Sequence, residues 1–286
     1  MPPFPILFYD PKDWTANHLQ SLRLERHFNA SLDEVIGAEY IPKDGDEGSI
    51  PTRSFTVYFQ RRSQMVEFES LAAEFAEPTE GELKNLCRTA CVRYRRNMFL
   101  PVFQRLCQML NSDVFFDASR QALLAFVDIT LRHVHLEKPL QTSCIQSISF
   151  KVAGVRGELQ CQGVLSESSM PQSPLGFFSV AKDGDYNFKG QVAQLLLQKA
   201  VAYQLKQSRR AYVIFMDGTN LQITMADPDR EYLDALFHGN RPDSVLHLYH
   251  SEFFNLCNRR RRKEALRVIL GLIRRLDADG LTRVLP

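Results

Sequence analysis

The stretch from 177 to 227 places one helix between strand-forming segments, and this order constrains the fold more than any other part of the chain. FFSVAK (177–182) is apolar and ends on a lysine, and AYVIFMDGTNLQITMAD (211–227) is two apolar segments around an Asp-Gly-Thr-Asn turn, which predicts a β-hairpin. Residues 188–206 predict a helix with a buried stripe beside a row of glutamines: Val192, Leu195, Leu196, Ala200 and Tyr203, and Gln191, Gln194 and Gln198.

The flanking segments add helices and strands. Helices are predicted for DWTANHLQSLRLERHF, SLDEVIGAEY, a segment from Thr79 to about residue 97, DPDREYLDALFHG, and a last helix with the apolar face Leu266, Ile269, Leu270, Ile273 and Leu276. Strands are predicted for SFTVYFQ (54–60), VFFDAS, ALLAFVDITLRHVHL, SCIQSISFKVAG and GELQCQGVL. We therefore expect an α/β (α+β) fold, a mixed β-sheet flanked by helices. We expect an N-terminal helical and loop region with an acidic linker (1–80), a core (81–230) and a basic helical extension (231–286).

Composition excludes several classes of protein. The 286 residues are 44% hydrophobic and 24% charged, an ordinary globular composition. No apolar run approaches the ~20 residues of a membrane span, and the proline-broken opening MPPFPILFYDPKDW predicts no secretory signal. The six cysteines include no CxxC pair, which favours a reduced intracellular protein. Nucleotide-binding glycine loops and a GxSxG nucleophile motif are absent from the sequence.

Charge is unevenly distributed along the chain. The first eighty residues are acid-rich, whereas RRRRK (259–263) and further arginines make the end basic. Three interpretations of RRRRK stay open: an exposed helix face, a nuclear import signal, and a phosphate-contacting patch of Arg259, Arg260, Arg261, Arg262 and Lys263. Such a patch would bind independently of base sequence, because no aromatic residues are interleaved with it. We also expect the acidic N-terminal region to dock against the basic C-terminus.

Two residues, Glu158 and Lys182, have the chemistry of a phosphodiester-cutting site. Metal-dependent cleavage needs acidic oxygens for a hard cation and a positive group near the scissile phosphate. An acid on one strand, followed by an acid and a lysine two residues apart on the next, supplies both. Glu158 and Lys182 take the first and last of these positions, but the residue two before Lys182 is Val180. The alternatives are that Glu158 is a surface acid and Lys182 a solvated lysine at the end of a strand.

The order of these segments resembles a known family. GELQCQGVL (157–165), FFSVAK (177–182), QVAQLLLQKAVAY (191–203) and YVIFMDGTNLQI (212–223) resemble PD-(D/E)XK nuclease-like domains, in the divergent form found in fungal proteins with fungal-type kinases or of the Crinkler-like type. The resemblance implies a restriction-endonuclease-like core at 81–230. It makes Glu158 the first Mg²⁺ carboxylate and Lys182 the transition-state cation. Gln194 would face the site, and Glu82 would be an additional acid for the metal. Because Val180 matches no acid, either the site has moved its second carboxylate or catalysis is lost.

Two functions from different classes follow. The first is a nucleic-acid-binding protein, intracellular and nuclear if RRRRK is an import signal, whose nuclease-like core uses Mg²⁺ if it is active. The second is a catalytically inactive scaffold that binds a protein partner. We expect no membrane partner. We also expect no zinc site at His247 and His250, since with Cys257 they lack a fourth ligand at a fixed spacing.

Overall fold

The computed structural model describes residues 10–43, 68–86, 94–112, 115–134, 136, 139–152, 155–181 and 187–279. Helices in these ranges are α1 Ala16–Ser21, α2 Leu32–Val35, α3 Phe68–Ala76, α4 Glu80–Asn85, α5 Leu100–Leu110, α6 Phe116–Arg132, α7 Phe188–Gln204, α8 Arg230–Phe237 and α9 Arg259–Asp279. Strands are β1 Leu24–His27, β2 Leu140–Ser143, β3 Ser147–Val152, β4 Val155–Gln160, β5 Gly163–Glu167, β6 Met170–Val180, β7 Ala211–Asp217, β8 Asn220–Ala226, β9 Leu246–His250 and β10 Phe254–Asn255.

A mixed sheet with the strand order β1-β9-β8-β7-β6-β5-β2 forms the centre of the fold, and β10 pairs with β8. Two neighbouring pairs are parallel: β6 with β7, which α7 connects, and β1 with β9. The remaining neighbours are antiparallel. The strands β3 and β4 form a separate antiparallel hairpin. The architecture confirms the predicted mixed α/β fold.

Helices cover both faces of this sheet because successive side chains along a strand point to opposite faces. On β6, Phe178 packs into a core shared with helices α3, α5, α6 and α9, whereas Phe177 packs into a second core shared with α7 and α8. The same alternation places Ile214 of β7 in the first core and Val213 in the second. Both faces are therefore buried, which explains why β7 is a continuous apolar segment.

Four predicted elements are confirmed. Helix α7 and the hairpin β7–β8 occupy their predicted positions, and α9 carries the predicted apolar face. Helix α8 begins after Asp229, whose side chain accepts a hydrogen bond from the backbone N–H of Tyr232 at 2.7 Å. It ends at Phe237, and Gly239, two residues later, has a φ of 71°, in the left-handed region that glycine adopts without strain.

Four predictions of secondary structure are wrong. Helix α6 begins at Phe116 within VFFDAS and includes most of ALLAFVDITLRHVHL, both predicted as strands. The buried residues of this helix repeat at helical spacing: Ala118, Ser119, Ala122, Leu123, Phe126, Val127, Thr130 and Leu131. LERH, predicted as helix, is the strand β1, which pairs with β9. The helix predicted from Thr79 to about 97 ends at Asn85 in α4, and residues 94–96 form a turn. SFTVYFQ and residues 87–93 lie outside the described residues.

The sheet extends beyond the core predicted at 81–230, since β1 precedes this range and β9 follows it. Helix α9 also packs on α3 and α6, so the predicted N-terminal and C-terminal regions contribute to one of the two hydrophobic cores. Among the described residues, no helix combines the length and apolar character that a membrane crossing needs.

Candidate nucleic-acid interface

Glu158, the predicted first metal carboxylate, lies on the β3–β4 hairpin and not on the central sheet. Its neighbour Leu159 is buried, so the alternation of β4 turns the Glu158 side chain away from the packed side of the hairpin and into solvent. There the carboxylate accepts a hydrogen bond from the hydroxyl of Ser147 on the paired strand. This contact gives Glu158 a local role in the hairpin.

The position of the missing second carboxylate is inside the hydrophobic core. Val180 ends β6 opposite Met216 of β7, and both side chains belong to the core shared with α3, α5, α6 and α9. An ionised carboxylate at position 180 would be buried among apolar groups, which is strongly unfavourable without a partner. Lys182, with Asp183 and Asp185, lies outside the described residues.

Gln194, predicted to face the site, instead ties α7 to the hairpin. Its side chain is buried, and its amide Nε2 donates to the carbonyl oxygen of Gln160 at 3.2 Å. One turn later, Gln198 bonds both backbone groups of Tyr212: its Nε2 donates to the carbonyl at 2.8 Å, and its Oε1 accepts from the N–H at 2.9 Å. Gln194 and Gln198 therefore attach helix α7 to the strands beneath it.

Glu82, the predicted additional acid, stabilises the start of α4. Its carboxylate accepts the backbone N–H of Thr79 at 2.8 Å, while the Thr79 hydroxyl accepts the N–H of Glu82 at 3.2 Å, a reciprocal capping box. Mg²⁺ prefers several oxygen ligands around one position. In the described part of the chain, neither Glu82 nor Glu158 belongs to any group of three potential ligand side chains. Within the described residues, the side chains that the resemblance assigns to Mg²⁺ are therefore not brought together in one magnesium site.

The basic segment RRRRK forms the first turn of the 21-residue helix α9. Asn258 precedes this turn, and its Oδ1 accepts the backbone N–H groups of Arg260 at 3.0 Å and Arg261 at 3.1 Å. Arg259 is exposed, and the Arg260 side chain is 89% exposed, with its Nε 3.4 Å from Glu264. These two arginines extend into solvent at the positive end of the helix dipole.

Arg262, predicted as a nucleic-acid contact, is fully buried. Its guanidinium donates hydrogen bonds only to backbone carbonyls: Phe75 at 2.8 Å, Leu256 at 2.9 Å, Cys257 at 3.1 Å, Ala76 at 3.3 Å, and Pro78. Burial lowers the pKa of Arg262 to about 10, so the group stays charged at neutral pH. The prediction that Arg262 belongs to a solvent-facing patch is wrong, because its hydrogen-bonding groups are used inside the protein.

Arg261 and Lys263 are exposed in part and paired with acids. Arg261 Nη1 lies 2.8 Å from Glu252 and 2.7 Å from Glu264, and hydrogen bonds to these carboxylates raise the pKa of Arg261. Lys263 Nζ lies 2.9 Å from Glu69 of α3. Because Glu69 belongs to the acid-rich first eighty residues, this pair is one contact between the acidic and basic parts of the chain.

An open groove of about 630 Å³ lies between the start of α9 and the end of α3, and we call it the α9 groove. It is lined by Ala76, Asn258, Arg259, Arg260, Lys263, Glu264 and Arg267. Four of these side chains are cationic and one is acidic. The surface is therefore concave and positive, although only part of RRRRK contributes to it.

Sequence reasoning missed a different cluster, on the edge of the sheet. His247 and His250, the two histidines of a possible zinc pair, lie on β9 three residues apart and point to opposite faces. His250 is buried, whereas His247 faces Glu25 and His27 of β1. Glu25 and His27 share one face of β1. The sequence could have indicated this shared face only if LERH had been interpreted as a strand.

No protein-family model matches the chain, and a search of the curated proteins finds no significant match.

Proposed function

We propose that this protein binds nucleic acid through contacts between the phosphate backbone and the α9 groove. The observation that carries the proposal is the groove's lining, which contains four cations and one carboxylate, that of Glu264. The cations are Arg259, Arg260, Lys263 and Arg267, of which Lys263 is paired with Glu69 of α3. Cationic side chains on a concave surface neutralise phosphates and release their counterions, which supplies most of the free energy of non-specific binding.

The lining also indicates the type of binding. None of the residues that line the α9 groove is aromatic, so the groove offers no stacking platform for bases. The contacts proposed are with phosphate and carry no sequence information. Binding should therefore weaken steeply as salt is added and should differ little between base sequences.

Binding without cleavage is the form of the proposal that the geometry supports. Val180 lies in the hydrophobic core, Glu158 faces solvent on a separate hairpin, and Gln194 bonds backbone. A nuclease centre built on these positions would need Glu158 to approach a carboxylate at position 180, which is buried and apolar.

The test is titration of labelled single- and double-stranded DNA and RNA by fluorescence anisotropy at several salt concentrations. The variant Arg259→Ala/Arg260→Ala removes two exposed cations. The matched control is Arg132→Ala/Arg230→Ala, which removes two exposed arginines of α6 and α8. We expect the first variant to reduce the slope of log K against log salt by about 2 and the control to leave it unchanged.

Equal effects of the two double variants would overturn the assignment to the α9 groove. Absence of salt-sensitive binding in the wild type would overturn nucleic-acid binding itself and leave the protein-binding scaffold. With Mg²⁺ or Mn²⁺ added to the same samples, we expect no cleavage that depends on Glu158, so Glu158→Ala should not change the amount of nucleic acid cut.

A further inference from the structure

The edge of the central sheet brings three potential metal ligands together. Strands β1 and β9 are parallel neighbours with Glu25 opposite His247 and His27 opposite Tyr249. Glu25 and His27 are two residues apart on β1, so both side chains point to the same face. His247 points to this face as well, and the pairing thus joins residues that are 220 positions apart in the chain.

The distances between the ligand atoms are those that a small metal ion requires. His27 Nε2 lies 3.0 Å from His247 Nδ1, Glu25 Oε1 lies 3.8 Å from His27 Nε2, and Glu25 Oε2 lies 3.6 Å from His247 Nδ1. Tetrahedral zinc with bonds of about 2.0–2.1 Å to nitrogen and oxygen holds its ligand atoms ~3.3 Å apart. Shifts of a few tenths of an ångström would therefore complete the coordination.

A neighbouring aromatic ring orients the imidazole of His27. The ring of Tyr249 stacks on the ring of His27 with centroids 4.7 Å apart and planes inclined by 14°. Arg26, which separates Glu25 and His27 in sequence, points to the other face, where its guanidinium lies 4.4 Å from the ring centre of Phe28 and 4.3 Å from that of Phe188. Its positive charge is thus held on the opposite side of β1 from the ligands.

The three side chains are accessible to an ion from solvent. Side-chain exposure is 56% for Glu25, 35% for His27 and 46% for His247. Two imidazole nitrogens and one carboxylate suit zinc and its first-row neighbours, whereas Mg²⁺ and Ca²⁺ prefer ligand sets made of oxygen. Three protein ligands leave a fourth tetrahedral position for water.

We propose that Glu25, His27 and His247 form a binding site for a divalent transition-metal ion of the zinc type. The ligands are His27 Nε2, His247 Nδ1 and the Glu25 carboxylate, with water completing the shell. The ion would replace the direct hydrogen bond between the two imidazoles and would cross-link the edge strand β1 to β9. The site is independent of the α9 groove and of nucleic-acid binding.

The experiment uses the full chain after treatment with a chelator. Calorimetric titration with ZnCl₂ should show one ion per chain, and Co²⁺ should produce the visible absorption of a tetrahedral complex. His27→Ala, His247→Ala and Glu25→Gln should each weaken zinc binding roughly tenfold or more. His238→Ala, at an exposed histidine after α8, is the matched control and should bind as the wild type does.

A second measurement separates loss of the ligand from loss of the fold. Zinc should raise the melting temperature of the wild type and of His238→Ala but not that of Glu25→Gln, whose exposed carboxylate is not needed for packing. Absence of one-to-one zinc binding in the wild type would overturn the proposal. So would zinc binding of unchanged affinity in Glu25→Gln and in the histidine variants, or competition by millimolar Mg²⁺.

Discussion

The guanidinium of Arg262 donates a 2.8 Å hydrogen bond to the carbonyl oxygen of Phe75, which lies 187 positions earlier in the chain. Phe75 and Ala76 end helix α3, where backbone carbonyls have no partner within the helix. Arg262 bonds both of these carbonyls and that of Pro78, and it also bonds Leu256 and Cys257 before α9. A single buried side chain thus caps α3 and fixes the entry into α9.

Replacing Arg262 should therefore destabilise the fold. In Arg262→Met the apolar stem is kept, but the five carbonyls lose their donor inside the protein. Since each buried polar group left unpaired costs about 1–3 kcal/mol, we expect the free energy of unfolding to fall by at least about 3 kcal/mol. Urea denaturation followed by circular dichroism measures this change.

The matched control for this prediction is Arg260→Met, two positions away on the same helix but almost fully exposed. It should change the free energy of unfolding by less than about 0.5 kcal/mol. Equal stability of the two variants would contradict the structural role of Arg262.

The buried position of Arg262 could have been predicted from the sequence. The apolar face of α9 includes Leu266, Ile269 and Ile273, and one turn before Leu266 this face reaches position 262. Composition alone groups the five basic residues as one patch, whereas helical period separates Arg262 from its neighbours. The pairing of Lys263 with Glu69 could not be located in the same way, because it depends on how α3 packs against α9.

Gln198 provides a second prediction on stability. Its amide bonds both the N–H and the carbonyl of Tyr212 in β7, so Gln198→Met leaves two buried backbone groups unpaired without creating a large cavity. We expect a loss of about 2 kcal/mol or more in the free energy of unfolding, measured in urea. Gln121→Met, at an exposed glutamine of α6, should have almost no effect. Comparable losses in both variants would show that the bonds to Tyr212 contribute nothing specific.

Helices and strands could be predicted from the sequence where the pattern that defines them lies within a short segment. Helix α7 and the hairpin β7–β8 depend on patterns within about twenty residues and were predicted correctly. Helix α6 was not, because its aromatic and β-branched residues favour strands locally while packing on α5 and the sheet selects a helix. The strand β1 pairs with β9 across most of the chain, and no local pattern of four residues reveals that partner.

The same limit explains the candidate metal site. The sequence supplies Glu25 and His27 at a spacing of two, which becomes a shared face only in a strand. The third ligand, His247, is defined by the parallel register of β1 with β9. The sequence instead suggests a pair of His247 with His250, three residues later. In the strand these two rings lie on opposite faces.

A substitution of Glu69 tests nucleic-acid binding through an expected increase in affinity. Its carboxylate lies 2.9 Å from Lys263, which lines the α9 groove, so Glu69→Gln should free this cation for phosphate. A partly exposed ion pair contributes up to about 1 kcal/mol, from which we expect DNA affinity to rise about threefold at low salt. Glu231→Gln, at an exposed acid of α8, should leave the affinity unchanged in the same anisotropy titration. A decrease in affinity on Glu69→Gln would contradict the role of Lys263.

The burial of His250 should make the free energy of unfolding depend on pH. Its ring is fully buried, with Nδ1 3.0 Å from the Thr224 hydroxyl, and burial lowers its pKa to about 4, helped by the positive charge of Arg26. In the unfolded chain the pKa of histidine is about 6.5. Between these values the unfolded state binds a proton that the folded state does not, so this residue's contribution to stability is complete above about pH 6.5 and is lost as the pH falls toward 4.

The measurement is urea unfolding of the wild type and of His250→Gln at about pH 7 and about pH 4.5. The glutamine keeps a polar group near Thr224 but cannot titrate, so the variant should lose about 2 kcal/mol less than the wild type over this interval. Comparing the two proteins cancels the titration of other groups. His238→Gln removes an exposed histidine and should lose as much stability as the wild type does. If His250→Gln followed the wild type across the whole interval, the ring of His250 would have to be protonated without cost in the folded protein, which its burial opposes.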